Sequence, residues 1–234
     1  MVNNNPTNCA MLNRLLLAIC TLLLTTSCIQ ATWQGCTFDD STDDVARLKD
    51  TPICLVVSGG NFTAGTSYKR WLFTPKADEY THFKIPNSFQ QIVVDGNDYQ
   101  PEVSVHVQSF QVLSQLRRFY DQATAQVFPY LTAIIDVDKG EVVNISWDDA
   151  CLFCDESDCK QNTYLVDGTA VMSSEINSKG CAVSAAECAK DSEKCDLTVY
   201  VVWTGTDSNG KLLDSVNGRF GAFGGSTIRD QFGI

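Results

Sequence analysis

Leu197-Thr198-Val199-Tyr200-Val201-Val202-Trp203 is the most strand-like run in the chain, and its reading decides the fold class. Thr198, Val199, Val201 and Val202 are β-branched and Tyr200 and Trp203 aromatic, the types that suit a pleated, half-buried surface. Asp207-Ser208-Asn209-Gly210 follows with turn chemistry and sends the chain back along residues 211–216. The same signature recurs elsewhere in the chain. Ile53-Cys54-Leu55-Val56-Val57 reads as a buried strand ending at Gly59-Gly60, and further strands are expected at 68–73, 91–94, 103–107, 131–136 and 141–147. Asp95-Gly96-Asn97-Asp98 and Asp136-Val137-Asp138-Lys139-Gly140 carry hairpin-turn residues.

Helical signals interrupt this pattern. Val112, Leu116, Phe119, Ala123 and Val127 recur at four- and three-residue spacing. Gln115, Arg117, Arg118, Asp121 and Gln122 cover the other faces and Pro129 closes the stretch, so one substantial helix is expected over 110–128. Two shorter helices are expected. Residues 41–49 begin with Ser41 as cap, have acids in the first turn and Lys49 at the end, and are stopped by Pro52. Ser184-Ala185-Ala186-Glu187 has capping-box spacing and opens a helix toward Lys194. The expected fold is therefore α+β and mainly β: an antiparallel sheet with one substantial helix, followed by a disulfide-stapled β-rich C-terminal segment.

The eleven cysteines make sense once the first residues are read as a leader. Arg14 precedes the apolar run 15–24, small residues follow, and no acid appears before Asp39. That is the pattern of a cleaved secretory signal, cut after Cys28 or Ala31. Ten strongly apolar residues are too few for a hydrocarbon core that needs about 20. Removing Cys9, Cys20 and Cys28 leaves Cys36, Cys54, Cys151, Cys154, Cys159, Cys181, Cys188 and Cys195, an even set suited to a disulfide framework. Cys36 with Cys54 is the natural local pair, and the other six leave their connectivity open. Zinc is disfavoured because the cluster has no second Cys-x2-Cys and no nearby histidine; His82 and His106 lie far upstream. The expected organisation is a leader at 1–31, an α+β subdomain at 32–149, a disulfide-rich β subdomain at 150–218 and a Gly/Phe tail at 219–234.

Arg14 is the one charged residue of the leader, so the remaining chain carries 16 basic and 28 acidic residues, a net −12. Such a surface repels phosphate backbones and anionic headgroups, which argues against nucleic acid and unaided membrane binding. Export is the expected localisation, to the extracellular space or the cell surface. Asn61-Phe62-Thr63 and Asn144-Ile145-Ser146 are glycosylation sequons that agree with it. Alternation in Val143-Asn144-Ile145-Ser146-Trp147 would turn Val143, Ile145 and Trp147 inward and Asn144 and Ser146 outward.

Candidate chemistry is sparse. Acidic knots at Asp39, Asp40, Asp43 and Asp44, and at Asp148, Asp149, Asp155, Glu156 and Asp158, offer the oxygen ligands that calcium prefers. A solvated acidic surface explains them as well, so no cofactor is expected. Asp136-x-Asp138-x-Gly140 and Asp207-x-Asn209-Gly210 resemble fragments of calcium loops but read better as turns. There is no His-Glu-x-x-His, no phosphate-cradling glycine loop and no Gly-x-Ser-x-Gly elbow. His106 sits on the polar face of an alternating strand, where a surface histidine is expected. Trp147 and Trp203 are expected in a core, while Tyr80 and Tyr99 are the aromatic residues expected at a binding surface. The leading functional expectation is a non-catalytic glycoprotein module binding extracellular protein or carbohydrate. The alternatives are a secreted hydrolase using paired carboxylates and a structural component of a matrix or coat.

Overall fold

In the computed structural model the described residues are 36–38, 44–59, 68–95, 102–148, 151–162, 165–166, 169–170 and 179–217. Strands dominate. They are β1 (Ile53–Gly59), β2 (Tyr68–Phe73), β3 (Thr81–Lys84), β4 (Glu102–Ser109), β5 (Val112–Leu113), β6 (Arg117–Asp121), β7 (Gln126–Val127) and β8 (Tyr130–Asp138). The series continues with β9 (Glu141–Trp147), β10 (Cys159–Gln161), β11 (Leu165–Val166), β12 (Thr169–Ala170), β13 (Lys179–Cys181), β14 (Val183–Ser184), β15 (Thr198–Thr206) and β16 (Leu212–Leu213).

Two sheets enclose the core. The first runs β14-β7-β6-β4-β1-β2, with β5 on β4, and its pairs are antiparallel. The second runs β16-β15-β8-β9, with β3 on β15. Its β15–β8 pair is parallel and the others are antiparallel. Alternate residues of both sheets share one buried cluster. Leu55, Val57, Val103, Val105 and Val107 come from the first sheet, and Leu131, Ala133, Ile135, Val199, Val201 and Trp203 from the second. Thr198–Trp203 lie in β15, with Trp203 fully buried. Strands on both sides of the expected 149/150 boundary share these sheets, since β15 lies beside β8 and β14 beside β7.

Strands β1 and β4 are buried on both faces. On the side away from the core, Cys36 is tied to Cys54 by a disulfide. Its N–H donates to Gln108 Oε1 at 2.8 Å, while Gln108 Nε2 donates to the Cys36 carbonyl at 3.2 Å.

The substantial helix expected over 110–128 does not form. That stretch is a turn, β5, β6, a second turn and β7. Phe110 and Ala125 have φ of 50° and 51°, a left-handed backbone that no helix tolerates. Asp121 organises the second turn: Oδ1 accepts from the Ala123 N–H at 3.0 Å and Oδ2 from the Thr124 hydroxyl at 2.7 Å. Both faces of β6 are buried, with Phe119 at one and Tyr120 at the other, so the helical-looking spacing arises from strand residues covered on two sides. The helix expected at 41–49 is also absent over its described part: residues 44–46 are irregular and 47–49 form a turn. The expected strand at 91–94 is instead a π-type turn, Phe89–Val94. Asp196 anchors its start by accepting from the backbone N–H groups of Asn87 and Phe89.

The Ser184 box does cap a helix, α1 (Ala185–Cys188), four residues long. Ser184 Oγ accepts from the Glu187 N–H at 3.2 Å and donates to its carboxylate at 2.9 Å. The β8–β9 hairpin turns at Lys139 and Gly140, with φ of 51° and 90°, the two positive values that a tight hairpin turn requires. At Gly205, φ is 99° and a Cβ would run into the Val137 carbonyl oxygen, so only glycine fits there.

Candidate functional site

Outward-pointing residues of β3, β15 and β8 gather a row of rings on the solvent side of the second sheet. Tyr200 lies opposite His82 on one side and Thr132 on the other. Thr198, two residues back on the same face, lies opposite Lys84 and Tyr130. The Tyr200 ring centroid is 5.6 Å from that of Tyr80, with the planes 21° apart, and 5.5 Å from His82. Phe153 closes the row from above: its ring stacks on Tyr200 at 4.4 Å and 18° and meets Tyr130 at 5.5 Å. Tyr80, Tyr130, Phe153 and Tyr200 are half-buried and His82 is exposed.

Phe153 can hold this position because its neighbours are stapled. Cys154 is bonded to Cys181 and Cys151 to Cys159. Burial, with the Tyr130 phenol adding to it, pushes the Tyr200 phenol above its ordinary pKa. The row therefore offers aromatic rings and the exposed His82 imidazole beside them. Such a surface suits the apolar face of a sugar ring or the side chains of a protein partner.

A second concavity, of about 450 Å³, lies beside α1. Asp158, Glu187 and Asp191 line it together with Lys190 and Lys194. Lys194 Nζ is 3.0 Å from Asp191, whose hydrogen bond and charge raise the lysine pKa. The carboxylates thus lie among ammonium groups; none of the described lining residues is aromatic, and the Tyr130 hydroxyl donates to the Lys194 carbonyl at 3.4 Å.

The four described disulfides are Cys36–Cys54, Cys151–Cys159, Cys154–Cys181 and Cys188–Cys195, and they account for all eight framework cysteines. They suit an oxidising environment such as the extracellular space. The Sγ atoms of Cys151, Cys154 and Cys181 lie within 4.8 Å of one another, so this cluster would offer thiolates to a metal only after both of its bonds were reduced. Asp207 spends its carboxylate on the turn, accepting from the backbone N–H groups of Arg47, Asn209 and Lys211. The Arg47 N–H is the main reason its pKa lies below the ordinary value.

Of the residues singled out in the sequence, Tyr80 joins the aromatic row, whereas Tyr99, Asn61 and the stretches 1–31 and 219–234 lie outside the described residues. Asn144 is exposed on β9. Val143 points outward and not inward, because a bulge between Asp136 and Val137 of β8 leaves it as an extra residue and brings Val142 to the core face. His106 is not a surface residue either. It is buried on the second face of the first sheet, in line with Val56 and Arg70. Burial first, and the Arg70 charge second, push its pKa down to about 4, so it is neutral at neutral pH.

Sequence reasoning missed Tyr130, His82 and Phe153 as ring-row members. The available signal was the alternation of Thr198, Tyr200 and Val202 against Val199, Val201 and Trp203, which turns Tyr200 away from the core.

Among protein families, the model described as Uncharacterised protein DDB_G0273449 matches residues 102–223. The match takes in Tyr130, Phe153 and Tyr200 but not Tyr80 or His82. No curated protein and no solved structure matches the chain.

Proposed function

We propose, for a chain that belongs to the family described as Uncharacterised protein DDB_G0273449, an exported, non-catalytic module that binds an extracellular protein or carbohydrate on the aromatic row around Tyr200. The observation that carries this reading is the convergence of Tyr80, Tyr130, Phe153 and Tyr200 on one outward sheet face, with His82 beside them. Large rings kept half-buried and prearranged by β structure and disulfides contribute contact area with little ordering cost. Export draws its support from the leader-like segment before Cys28, from four disulfides and from the acidic charge balance. The carboxylate-pair alternative finds less support, because the acids around the second cavity are accompanied by Lys190 and Lys194.

The test is binding of the exported chain to immobilised polysaccharides and to extracellular protein extracts, alongside Tyr200→Ala and the milder His82→Ala. The expected result is retention of the wild type and at least about tenfold weaker binding by both variants, which corresponds to 1.4 kcal/mol. Unchanged binding in correctly folded Tyr200→Ala and His82→Ala would remove the row from the function. Turnover of a glycoside substrate by the wild type would replace the binding reading with the hydrolase.

A further inference from the structure

We infer that the two disulfides of the 151–181 cluster trade partners through thiol–disulfide exchange, passing to Cys151–Cys154 with Cys159–Cys181, and that this exchange releases Phe153 from Tyr200. The exchange goes beyond the binding reading and depends on bond connectivity, whatever the aromatic row binds.

Exchange between two disulfides needs their sulfurs close together and the alternative pairs already within bonding reach. The Sγ atoms of Cys151, Cys154 and Cys181 all lie within 4.8 Å of one another, although they belong to two different bonds. Cys159 is the bonded partner of Cys151 and stands directly opposite Cys181 on the β10–β13 ladder. Directly opposite residues of an antiparallel pair share a face and have Cα atoms about 4.5–5.5 Å apart, inside the range that a disulfide spans. That ladder does not need the sulfurs to hold it. Lys160 pairs with Gly180 and Gln161 with Lys179, and the Ala182 N–H donates to the Asp158 carbonyl at 2.9 Å.

The other alternative pair is prepared as well. Cys151 and Cys154 flank a turn at Leu152-Phe153, and a turn keeps its flanking Cα atoms within about 7 Å. Cys151, Cys154 and Cys159 are half-buried, so an attacking thiolate has access to the cluster, whereas Cys181 is buried. Among the described residues, Cys36–Cys54 and Cys188–Cys195 belong to no such group of sulfurs.

The co-reactant is a small thiolate of the glutathione class, and it is regenerated. It attacks the Cys159 Sγ, forming a mixed disulfide, and the Cys151–Cys159 bond breaks with Cys151 leaving as thiolate. The Cys151 thiolate then attacks the Cys154 Sγ, so Cys151–Cys154 forms and Cys181 leaves as thiolate. Finally Cys181 attacks the Cys159 Sγ across the ladder, Cys159–Cys181 forms, and the small thiolate departs. Each step passes one bonding pair to the leaving sulfur, and no oxidant or reductant is consumed.

The consequence falls on Phe153, which lies between Cys151 and Cys154. As found, these two cysteines tie its turn to Cys159 and Cys181, and the ring stacks on Tyr200 at 4.4 Å. After exchange the turn is closed on itself and the β10–β13 hairpin on itself. No disulfide then joins the Phe153 turn to that hairpin, and the ring is free to leave the row.

The experiment equilibrates the full oxidised chain with a glutathione buffer, quenches it with acid, and maps the linked peptides after cuts at Phe153 and Asp155. Peptides joined through Cys159–Cys181 should rise to at least about 1% of molecules, the level of a populated minor state. Cys36–Cys54 and Cys188–Cys195 should stay intact, with no gain in protein thiols. Cys159→Ser with Cys181→Ser should oxidise to Cys151–Cys154 and lose the nuclear Overhauser contact between the Phe153 and Tyr200 rings that the wild type shows. Pairing that stays fixed in the wild type, or Cys159–Cys181 that arises only with a gain in protein thiols, overturns the exchange without any variant having to fold. Free thiols at 151 and 154 in the folded double variant overturn the second pairing. Retention of the ring contact in its oxidised form overturns the release of Phe153.

Discussion

Residues 55–150 contain no cysteine and residues 151–195 contain six, and the two stretches are held by different means. The first supplies long strands whose inner faces fill the core, from Leu55 through Val103, Val105 and Val107 to Ile145 and Trp147. The described part of the second consists of strands two or three residues long and short helical turns. Its described contributors to the core cluster are Ala182, Cys188 and Cys195. Two of these three are disulfide cysteines, so the bond partly substitutes for apolar side chains. The difference teaches where covalent stabilisation is needed: a segment too poor in buried surface to offset its ordering entropy is kept in register by limiting the entropy of its unfolded state. That rigidity has a use, because the stapled loop holds Phe153 on Tyr200.

Three perturbations test this contrast. The largest effect is expected from Trp203→Ala, which empties the centre of the sandwich where Trp203 is fully buried. Loss of about 3–5 kcal/mol is expected, read as a fall in both denaturant midpoint and Tm, with the disulfides still formed by mass. A loss near zero would mean that the core does not carry the first region. Next, Cys154→Ser with Cys181→Ser opens a loop of sequence separation 27. The chain-entropy account gives about 3–4 kcal/mol. Hydrogen exchange should show lost protection concentrated between residues 151 and 181, while β1, β4 and β8 keep theirs. Uniform loss across the molecule would erase the distinction between the regions.

The smallest of the three effects concerns acid, which should act on the sandwich and not on the staples. His106 is neutral in both folded and unfolded chains above pH 6.5. As pH falls from 6.5 to about 4, the unfolded chain takes up a proton that the buried imidazole refuses. Stability therefore drops through that window, by about 3 kcal/mol, and for this group levels off below it. His106→Gln should flatten that part of the pH profile in chemical denaturation, and an unchanged slope would assign the acid sensitivity to other groups.

Legibility in the sequence follows the same physics. Strand residues whose pattern is local were readable: β1, β2, the β8–β9 hairpin and β15 all arise from β-branched and aromatic runs punctuated by turn residues. The Ser184 cap was readable because its partner, Glu187, is three residues away. The 110–128 stretch misled because Phe119 and Tyr120 are both buried, and burial on both faces of a strand erases the two-residue alternation that distinguishes it from a helix. The Asp121–Thr124 turn was the local signal against a helix, and it lay inside the apolar stripe. The candidate site was less legible than the fold, since Tyr80, Tyr130, Phe153 and Tyr200 come from four separate stretches of chain.

By itself the sequence determined the β-rich character, the turns at Lys139-Gly140 and Asp207–Gly210, the even set of eight cysteines and the acidic balance, because each rests on residue type or short-range spacing. The tertiary structure alone decided the two-sheet arrangement with its parallel β15–β8 pair, the disulfide connectivity within the cluster, the burial of His106 and the outward turn of Val143. It also decided that the rings meet. All of these depend on which distant strands become neighbours, and that is set by packing two sheets around one core, where contacts far apart in sequence outweigh local preference.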